Sequence, residues 1–141
     1  MASSSRPVAV VTGASSGIGY ELASIAAAKG YDLVVASDEP TIRDAATAFG
    51  AAAVAADPVQ ADLATIEGVD RLYEAIGERP VDLLLANAGH GLGGGFLDQP
   101  FEAVLHVVNT NVVGTIDLIQ RVGRGMRARG AGRLRPARGA S

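Results

Sequence analysis

Residues 8–19 read VAVVTGASSGIG, and this stretch decides how the rest of the chain is organised. The apolar run Val8 to Val11 predicts a buried strand, and a helical spacing of apolar residues begins directly after Gly13, Gly17 and Gly19. A strand, a glycine-rich turn and a helix N-terminus together predict an anion site, because free backbone N–H groups and the helix dipole converge there. The expected occupant is the pyrophosphate of a dinucleotide. The alternative is an ordinary turn, which glycines also mark.

Composition limits the class of protein. The chain has 141 residues, of which 48% are apolar and 19% charged, so it is expected to form one globular domain or part of one. It contains no cysteine, which excludes disulfides and thiol catalysis, and its two histidines do not favour a metal site. No apolar stretch approaches 18 residues and no signal-peptide pattern is present, so the predicted location is the cytoplasm, without membrane contact.

Charge is distributed unevenly along the chain. From Arg121 onward there are seven arginines and no acidic residue, while residues 1–120 hold five basic and fifteen acidic residues. A basic run of this kind can bind nucleic acid, but no aromatic residues are interleaved with it. We therefore interpret it as a solvated end and predict no nucleic-acid partner.

Strand and helix patterns alternate along the chain, which predicts an α/β fold: a Rossmann-like, doubly wound parallel sheet with a ligand at the carboxyl ends of its strands. The predicted strand order is 3-2-1-4. The first helix is predicted to bury Ile18, Leu22, Ile25 and Ala26 and to stop at Gly30. The other predicted features are a second strand over 32–36, a helix from Pro40 to Gly50, a third strand over 51–56, a turn at Asp57-Pro58, a helix capped by Thr65, a fourth strand over 81–86, a glycine-rich loop over 90–95 and a long helix over about 101–128.

The predicted domain organisation is a disordered leader at residues 1–6, a dinucleotide-binding domain at 7–130 and an irregular tail at 131–141. From Arg133 the chain reads RLRPARGAS, where a parallel sheet requires a buried apolar strand. We expect this tail to be disordered and to be the product of a reading-frame change. The fold would then end after the long helix and leave the fourth strand as an unprotected apolar edge.

Four motifs in order resemble the N-terminal half of a short-chain dehydrogenase/reductase. TGASSGIG at 12–19 matches the TGxxxGxG of that family, and Asp62-Leu63 follows the third strand as in the family. Residues 87–89 match the last three residues of its NNAG motif, with Ala86 in place of the first Asn. Asn111 and Gly114 match its N-x-x-G inside the long helix.

The resemblance implies a role for each motif. Asp62 would contact the adenine and Leu63 would offer a backbone contact, although Asp62 alone is also typical of a turn or helix cap. Asn111 would hold a water in the catalytic proton relay, and because an Asn in an apolar helix is costly unless its amide is hydrogen-bonded, we expect it to have a definite partner. Family members usually pair through the long helix. The residues expected to line the pyrophosphate are Gly13, Ser15, Ser16, Gly17, Ile18 and Gly19, and those expected to end the fourth strand under the cofactor are Asn87, Ala88 and Gly89.

The predicted cofactor is NAD, with NADP less favoured. An acid about 20 residues after the glycine turn accepts hydrogen bonds from the ribose 2′-OH of NAD, whereas a basic residue accommodates the phosphate of NADP. Asp38 takes this place, one position later than the usual acid of NAD-using members. Ser16 stands where NADP-using members often have a basic residue, and no arginine or lysine is near in sequence.

The catalytic half of the family pattern is missing. The family uses a Ser, a Tyr and a Lys four residues after that Tyr, and no Tyr-x-x-x-Lys occurs in this sequence, whose single lysine is Lys29. Two hypotheses remain open. The chain is either the front part of an oxidoreductase that transfers hydride between NAD(P) and an alcohol or carbonyl, or a catalytically inactive nucleotide-binding remnant.

Overall fold

A computed structural model describes residues 6–89 and 94–136, which form a five-stranded parallel sheet flanked by helices. The strand order is β3-β2-β1-β4-β5, so the predicted doubly wound α/β fold and the order of its first four strands are confirmed. The strands are β1 (Val8–Thr12), β2 (Asp32–Ser37), β3 (Ala56–Gln60), β4 (Leu83–Ala86) and β5 (Arg133–Pro136). The helices are α1 (Gly17–Ala28), α2 (Ile42–Gly50), α3 (Ile66–Ile76), α4 (Phe101–Val108) and α5 (Thr115–Arg129). The predicted leader, apart from Arg6, and most of the loop at 90–95 lie outside the described residues.

The centre of the sheet is buried on both faces. All five residues of β1 are buried, and β2 is buried from Leu33 onward, which is why both read as uninterrupted apolar runs. Helices α1 and α2 cover one face, while α3 and α5 cover the other through Val69, Leu72 and Leu118. Because helices cover both faces, a ligand can reach the sheet only where the strands end.

Helix α1 packs through small residues rather than through the predicted apolar face. Ile18 and Ile25 are 72% and 52% exposed, so their predicted burial is wrong. The residues that α1 buries are Gly19, Ala23, Ala26 and Ala27. Small side chains let the helix approach the sheet closely, which a pattern that counts large apolar residues does not detect.

The third strand lies later than predicted. Residues 51–56 were expected to form it, but β3 spans Ala56–Gln60 and includes the dipeptide Asp57-Pro58 that was predicted to be a turn. Pro58 is tolerated because β3 is an edge strand, whose outer side needs no N–H donor.

A fifth strand corrects the prediction of an irregular tail. Residues Arg133–Pro136 pair in parallel with β4, and Arg133 N donates to Asp82 O at 2.8 Å. All four residues are exposed, so the strand is held by backbone hydrogen bonds and lacks the buried apolar residues by which sequence analysis finds parallel strands. The apolar edge of β4 is therefore covered. Residues 137–141 lie outside the described part of the chain, and the predicted reading-frame change remains a prediction.

The predicted long helix is continuous but not regular. A π-helical segment, Asn109–Gly114, connects α4 to α5. One side of this composite helix exposes a row of apolar side chains, Phe101, Leu105, Val108, Val112 and Ile116.

Candidate functional site

A cleft runs along the carboxyl ends of the strands, where a parallel α/β sheet binds its ligands. It collects nine of the thirteen residues that the sequence predicted for the site, from four separate segments of the chain. These are Gly13, Ser15, Ser16, Asp38, Asp62, Leu63, Asn87, Ala88 and Gly89. Gly17, Ile18, Gly19 and Asn111 stand just outside the cleft lining, and Ser37, Glu39, Ala61 and Thr110 join it without having been predicted.

The N-terminus of α1 opens onto this cleft. Ser16 precedes the helix with an extended backbone and makes no side-chain cap, and the first turn contains no acidic residue. The backbone N–H groups of the first turn are consequently left for a ligand. Gly13 and Gly17 have φ angles of +66° and +59°, which only glycine adopts at low cost. A β-carbon at Gly17 would meet nothing within 4 Å, so the space above the turn is open to an anion.

Gly19 fixes how closely α1 approaches the end of β1. A β-carbon built on Gly19 would lie 2.0 Å from the carbonyl oxygen of Gly13 and 2.6 Å from Nδ2 of Asn87. No side chain fits in that space without moving backbone. Gly19 thus sets the position of the helix N-terminus relative to the glycine turn and to Asn87.

Thr12, which the sequence analysis did not assign to the site, holds the end of β4. Its hydroxyl oxygen accepts hydrogen bonds from the backbone N–H groups of Asn87 and Ala88, each at 2.9 Å, and the residue is only 1% exposed. The signal available in the sequence was a hydroxyl residue in an otherwise apolar strand. Thr12 therefore fixes Asn87 and Ala88 against the first glycine of the turn.

Replacing Thr12 by Val is expected to lower the free energy of unfolding by about 2 kcal/mol or more, because two N–H groups lose their acceptor at a cost of about 1–3 kcal/mol each. Urea denaturation followed by circular dichroism measures this. Thr12→Ser keeps the hydroxyl and is the control, expected to lose less than about half as much. Equal losses in the two variants would contradict the role assigned to the hydroxyl.

The end of β2 presents Asp38 to the cleft on a backbone held by its neighbours. The Ser37 hydroxyl donates to the Ser15 hydroxyl at 3.0 Å and accepts from the backbone N–H of Glu39 at 3.1 Å. Gln60 Nε2 donates to the backbone carbonyl of Asp38 at 3.2 Å. The Asp38 residue itself is exposed. An exposed carboxylate beside the glycine turn is therefore accessible from the cleft.

Asp62 is a turn residue that also lines the cleft. Its Oδ1 accepts from the backbone N–H of Ala64 at 2.9 Å, and its carbonyl accepts from the Thr65 hydroxyl at 2.9 Å, which makes it a turn residue before α3. The predicted cap is confirmed, since the Thr65 hydroxyl accepts from Gly68 N. Asp62 also lines the cleft. Its contact with adenine stays a prediction.

The loop after β3 is packed against the π-helical segment. A β-carbon built on Gly114 would lie 1.8 Å from the carbonyl oxygen of Leu63, so this glycine permits a contact between the two backbones. Asn111, three residues earlier, is exposed, and its Oδ1 would lie 3.0 Å from a β-carbon at Gly89. The Asn111 side chain thus lies beside Gly89 at the cleft end of β4, and the hydrogen-bond partner expected for it stays a prediction. Its catalytic role stays a prediction.

A second depression continues from the cleft beyond Asp38 and Asp62. It is also lined by an arginine that lies far from Asp38 in the sequence. Arg71, from the second turn of α3, lines it together with Asp38 and Gln60. Arg71 Nη1 donates to the carbonyl of Gln60 at 3.0 Å, and the residue is exposed. The expectation that no arginine or lysine is near Asp38 did not account for the fold, which brings Arg71 to a depression that Asp38 also lines.

The described residues offer neither a metal cluster nor a membrane-spanning helix. Within residues 6–89 and 94–136, no three His, Cys, Asp or Glu side chains are grouped so that they could hold a metal ion. Over the same residues, no helix is both long enough and apolar enough to cross a membrane.

Comparisons with known proteins agree with this geometry. The sequence profile of the family described as short chain dehydrogenase matches residues 7–134. A protein of Streptomyces coelicolor named "Putative ketoacyl reductase" is 37% identical over 139 residues, covering 95% of this chain and 53% of that protein. The L-rhamnose 1-dehydrogenase (NAD(P)(+)) of Azotobacter vinelandii is 36% identical, covering 87% of this chain and 51% of the relative.

Solved structures agree as well. The crystal structure of L-sorbose reductase from Gluconobacter frateurii, complexed with NADPH and L-sorbose, superposes with a TM-score of 0.86 at 32% identity. The match covers 94% of this chain and 52% of that structure. The chain thus spans about half the length of the relatives it matches. By profile, sequence identity and fold alike, the chain belongs to the short-chain dehydrogenase/reductase family.

Proposed function

We propose that this chain is the dinucleotide-binding part of a short-chain dehydrogenase/reductase, an oxidoreductase that transfers hydride between NAD(P) and an alcohol or carbonyl substrate. The observation that carries the proposal is the uncapped N-terminus of α1, which opens beside Gly13 and Gly17 onto a cleft lined by residues from three of the four family motifs. The family supports a nucleotide cofactor, and the relatives' names include both NAD(P)-dependent and NADPH-complexed enzymes.

The residues present fit a dinucleotide along the cleft. The first turn of α1 supplies N–H donors for the pyrophosphate, and the open space above Gly17 leaves room for it. Asp38 and Asp62 supply carboxylates at the β2 and β3 end, where an adenosine would lie. Asn87, Ala88 and Gly89 end β4 under the other half of the molecule. When bound, the nicotinamide ring supplies or accepts the hydride.

Titration of the purified chain with NADH, followed by the fluorescence of the nicotinamide, tests the binding proposal. Saturable binding at one site per chain, displaced by NAD, is the expected result. No saturable signal up to millimolar NADH, with the chain shown to be folded by circular dichroism, would rule the proposal out.

A second candidate is a nucleotide-binding chain without catalytic activity. The absence of any Tyr-x-x-x-Lys from the sequence favours it, because that pair provides the acid/base group in the family. Both candidates share the dinucleotide site and differ only in turnover. Family members usually form homo-oligomers, and the exposed apolar row along α4, the π-helical segment and α5 is a candidate surface for pairing two copies of this chain.

We further propose that the site prefers NAD over NADP through Asp38. Like charges about 4 Å apart repel by about 1 kcal/mol in water and about 4 kcal/mol at an effective dielectric of 20. Because Asp38 is exposed and Arg71 lines the same depression, the lower figure applies, which corresponds to about fivefold weaker binding of NADPH than of NADH. Parallel NADH and NADPH titrations measure the ratio.

Two variants test which residue sets the ratio of NADH to NADPH affinity. Asp38→Ala should remove the preference for NADH, since Arg71 then faces a 2′-phosphate without competition. Arg71→Gln should increase the preference for NADH, since the negative charge of Asp38 is then no longer offset by the arginine. NADPH binding as tightly as NADH to the unmodified chain, or an unchanged ratio in Asp38→Ala, would refute the assignment.

A further inference from the structure

Thr110 carries a hydroxyl that the fold does not satisfy. The residue is 3% exposed and lines the cleft next to the Asn87–Gly89 segment. Over residues 6–89 and 94–136, its Oγ1 is the one buried side-chain polar atom without a hydrogen-bond partner. Buried polar groups in folded proteins are hydrogen-bonded in the large majority of cases, so an exception at a binding cleft calls for a partner that comes from the ligand.

The π-helical segment explains why the helix does not provide that partner. In a regular helix a threonine hydroxyl donates to the carbonyl three or four residues earlier. Thr47 in α2 does so, since its hydroxyl donates to Arg43 O at 3.1 Å. Thr110 lies within the wider π turn, where its own carbonyl accepts from the Thr115 hydroxyl at 3.2 Å. The local geometry thus leaves the Thr110 hydroxyl without a hydrogen-bond partner.

The other buried hydroxyls around the cleft are already used. Thr12 accepts two backbone hydrogen bonds, and Ser37 donates one and accepts one. Thr110 differs from Thr12 and Ser37 in that no protein group hydrogen-bonds its hydroxyl. Because the adjacent Asn111 lies against Gly89, in the segment expected under the second half of the dinucleotide, we take a ribose hydroxyl rather than a phosphate oxygen as its partner. A ribose hydroxyl both donates and accepts, so either orientation of the threonine O–H suits it.

We propose that the Thr110 hydroxyl hydrogen-bonds a ribose hydroxyl of the bound dinucleotide and so contributes to affinity. The inference rests on the proposed dinucleotide-binding function. It assigns to Thr110, which matches no family motif residue quoted above, a contact that exists only in the complex. In the free chain the same hydroxyl is a cost, because it is removed from water without a partner.

Thr110→Val tests this with two readouts, because valine has nearly the same shape and lacks the hydroxyl. The variant should bind NADH about fivefold more weakly, equivalent to about 1 kcal/mol, while its unliganded form melts at the same temperature as the parent or higher. Thr110→Ser should keep most of the affinity. Thr47→Val, which removes a helical hydroxyl far from the cleft, is the matched control and should leave NADH affinity unchanged.

ADP and ADP-ribose identify the ribose concerned. A weakening seen already with ADP assigns the contact to the adenosine ribose, and one seen only with ADP-ribose assigns it to the second ribose; either result supports the proposal. Unchanged NADH affinity in Thr110→Val would overturn it while leaving the proposed function standing. A lower melting temperature of unliganded Thr110→Val would also overturn it, because the hydroxyl would then be satisfied in the free chain. Failure of the parent chain to bind NADH would overturn both.

Discussion

Gly19→Ala is expected to abolish measurable dinucleotide binding. The added β-carbon would lie 2.0 Å from the Gly13 carbonyl oxygen, so α1 must move away from the glycine turn. Two charge-assisted hydrogen bonds from its N-terminus to a pyrophosphate, worth about 1.5–3 kcal/mol each, would then be lost. NADH affinity should fall at least about a hundredfold. Overpacking should also lower the free energy of unfolding by about 1–3 kcal/mol, although alanine is the better helix former by about 1 kcal/mol.

Gly50→Ala provides the matched control. Gly50 is the last residue of α2, and a β-carbon there would meet nothing within 4 Å. This variant should bind NADH like the parent chain and be equally or slightly more stable. If Gly19→Ala were to bind NADH within about threefold of the parent, α1 could not be the element that holds the pyrophosphate.

Purified alone, the chain is expected to show no turnover with NADH and a panel of ketones and aldehydes. A positioned acid/base group is typically worth about 10²- to 10⁴-fold, and the sequence contains no Tyr-x-x-x-Lys to supply one. The measurement is NADH oxidation at 340 nm, with a complete member of the family as the positive control for the assay.

Residual activity would need to be traced to the chain itself. Asn111→Ala removes the one predicted catalytic residue present, and Gly19→Ala removes the cofactor site. Steady NADH oxidation that follows the chain through purification and disappears in both variants would contradict the prediction and favour the active oxidoreductase over the inactive remnant.

The core of the fold could be predicted from the sequence because the central strands are buried and therefore consist of apolar residues. β1 and β2 are covered on both faces and read as apolar runs, and Thr65 was recognised as a helix cap from chemistry that acts within a few residues. Of the edge strands, β3 was placed too early and β5 was missed, for the opposite reason. β3 contains Pro58, and β5 contains only exposed residues, so backbone pairing with a neighbour defines both of them and leaves little trace in the side chains.

The residues of the site likewise fall into those that the sequence predicts and those that only the fold reveals. Glycines with a positive φ and the acid after β2 occupy fixed distances along the chain, so sequence spacing places them. Arg71 and Thr110 come to the cleft through the packing of α3 and of the π-helical segment. The missing hydrogen bond of Thr110 depends on one irregular helical turn. Such features depend on tertiary geometry, which a linear pattern does not encode.

Backbone amide NMR of the ¹⁵N-labelled chain, titrated with NADH, tests the central claim most directly, since the protein has a mass of only 14.3 kDa. The account predicts saturable shifts concentrated at the carboxyl ends of the strands, in residues 13–19, 37–39, 62–63 and 87–89, with small changes elsewhere. Shifts centred on the exposed faces of α4 and α5, or none in residues 13–19, would contradict it.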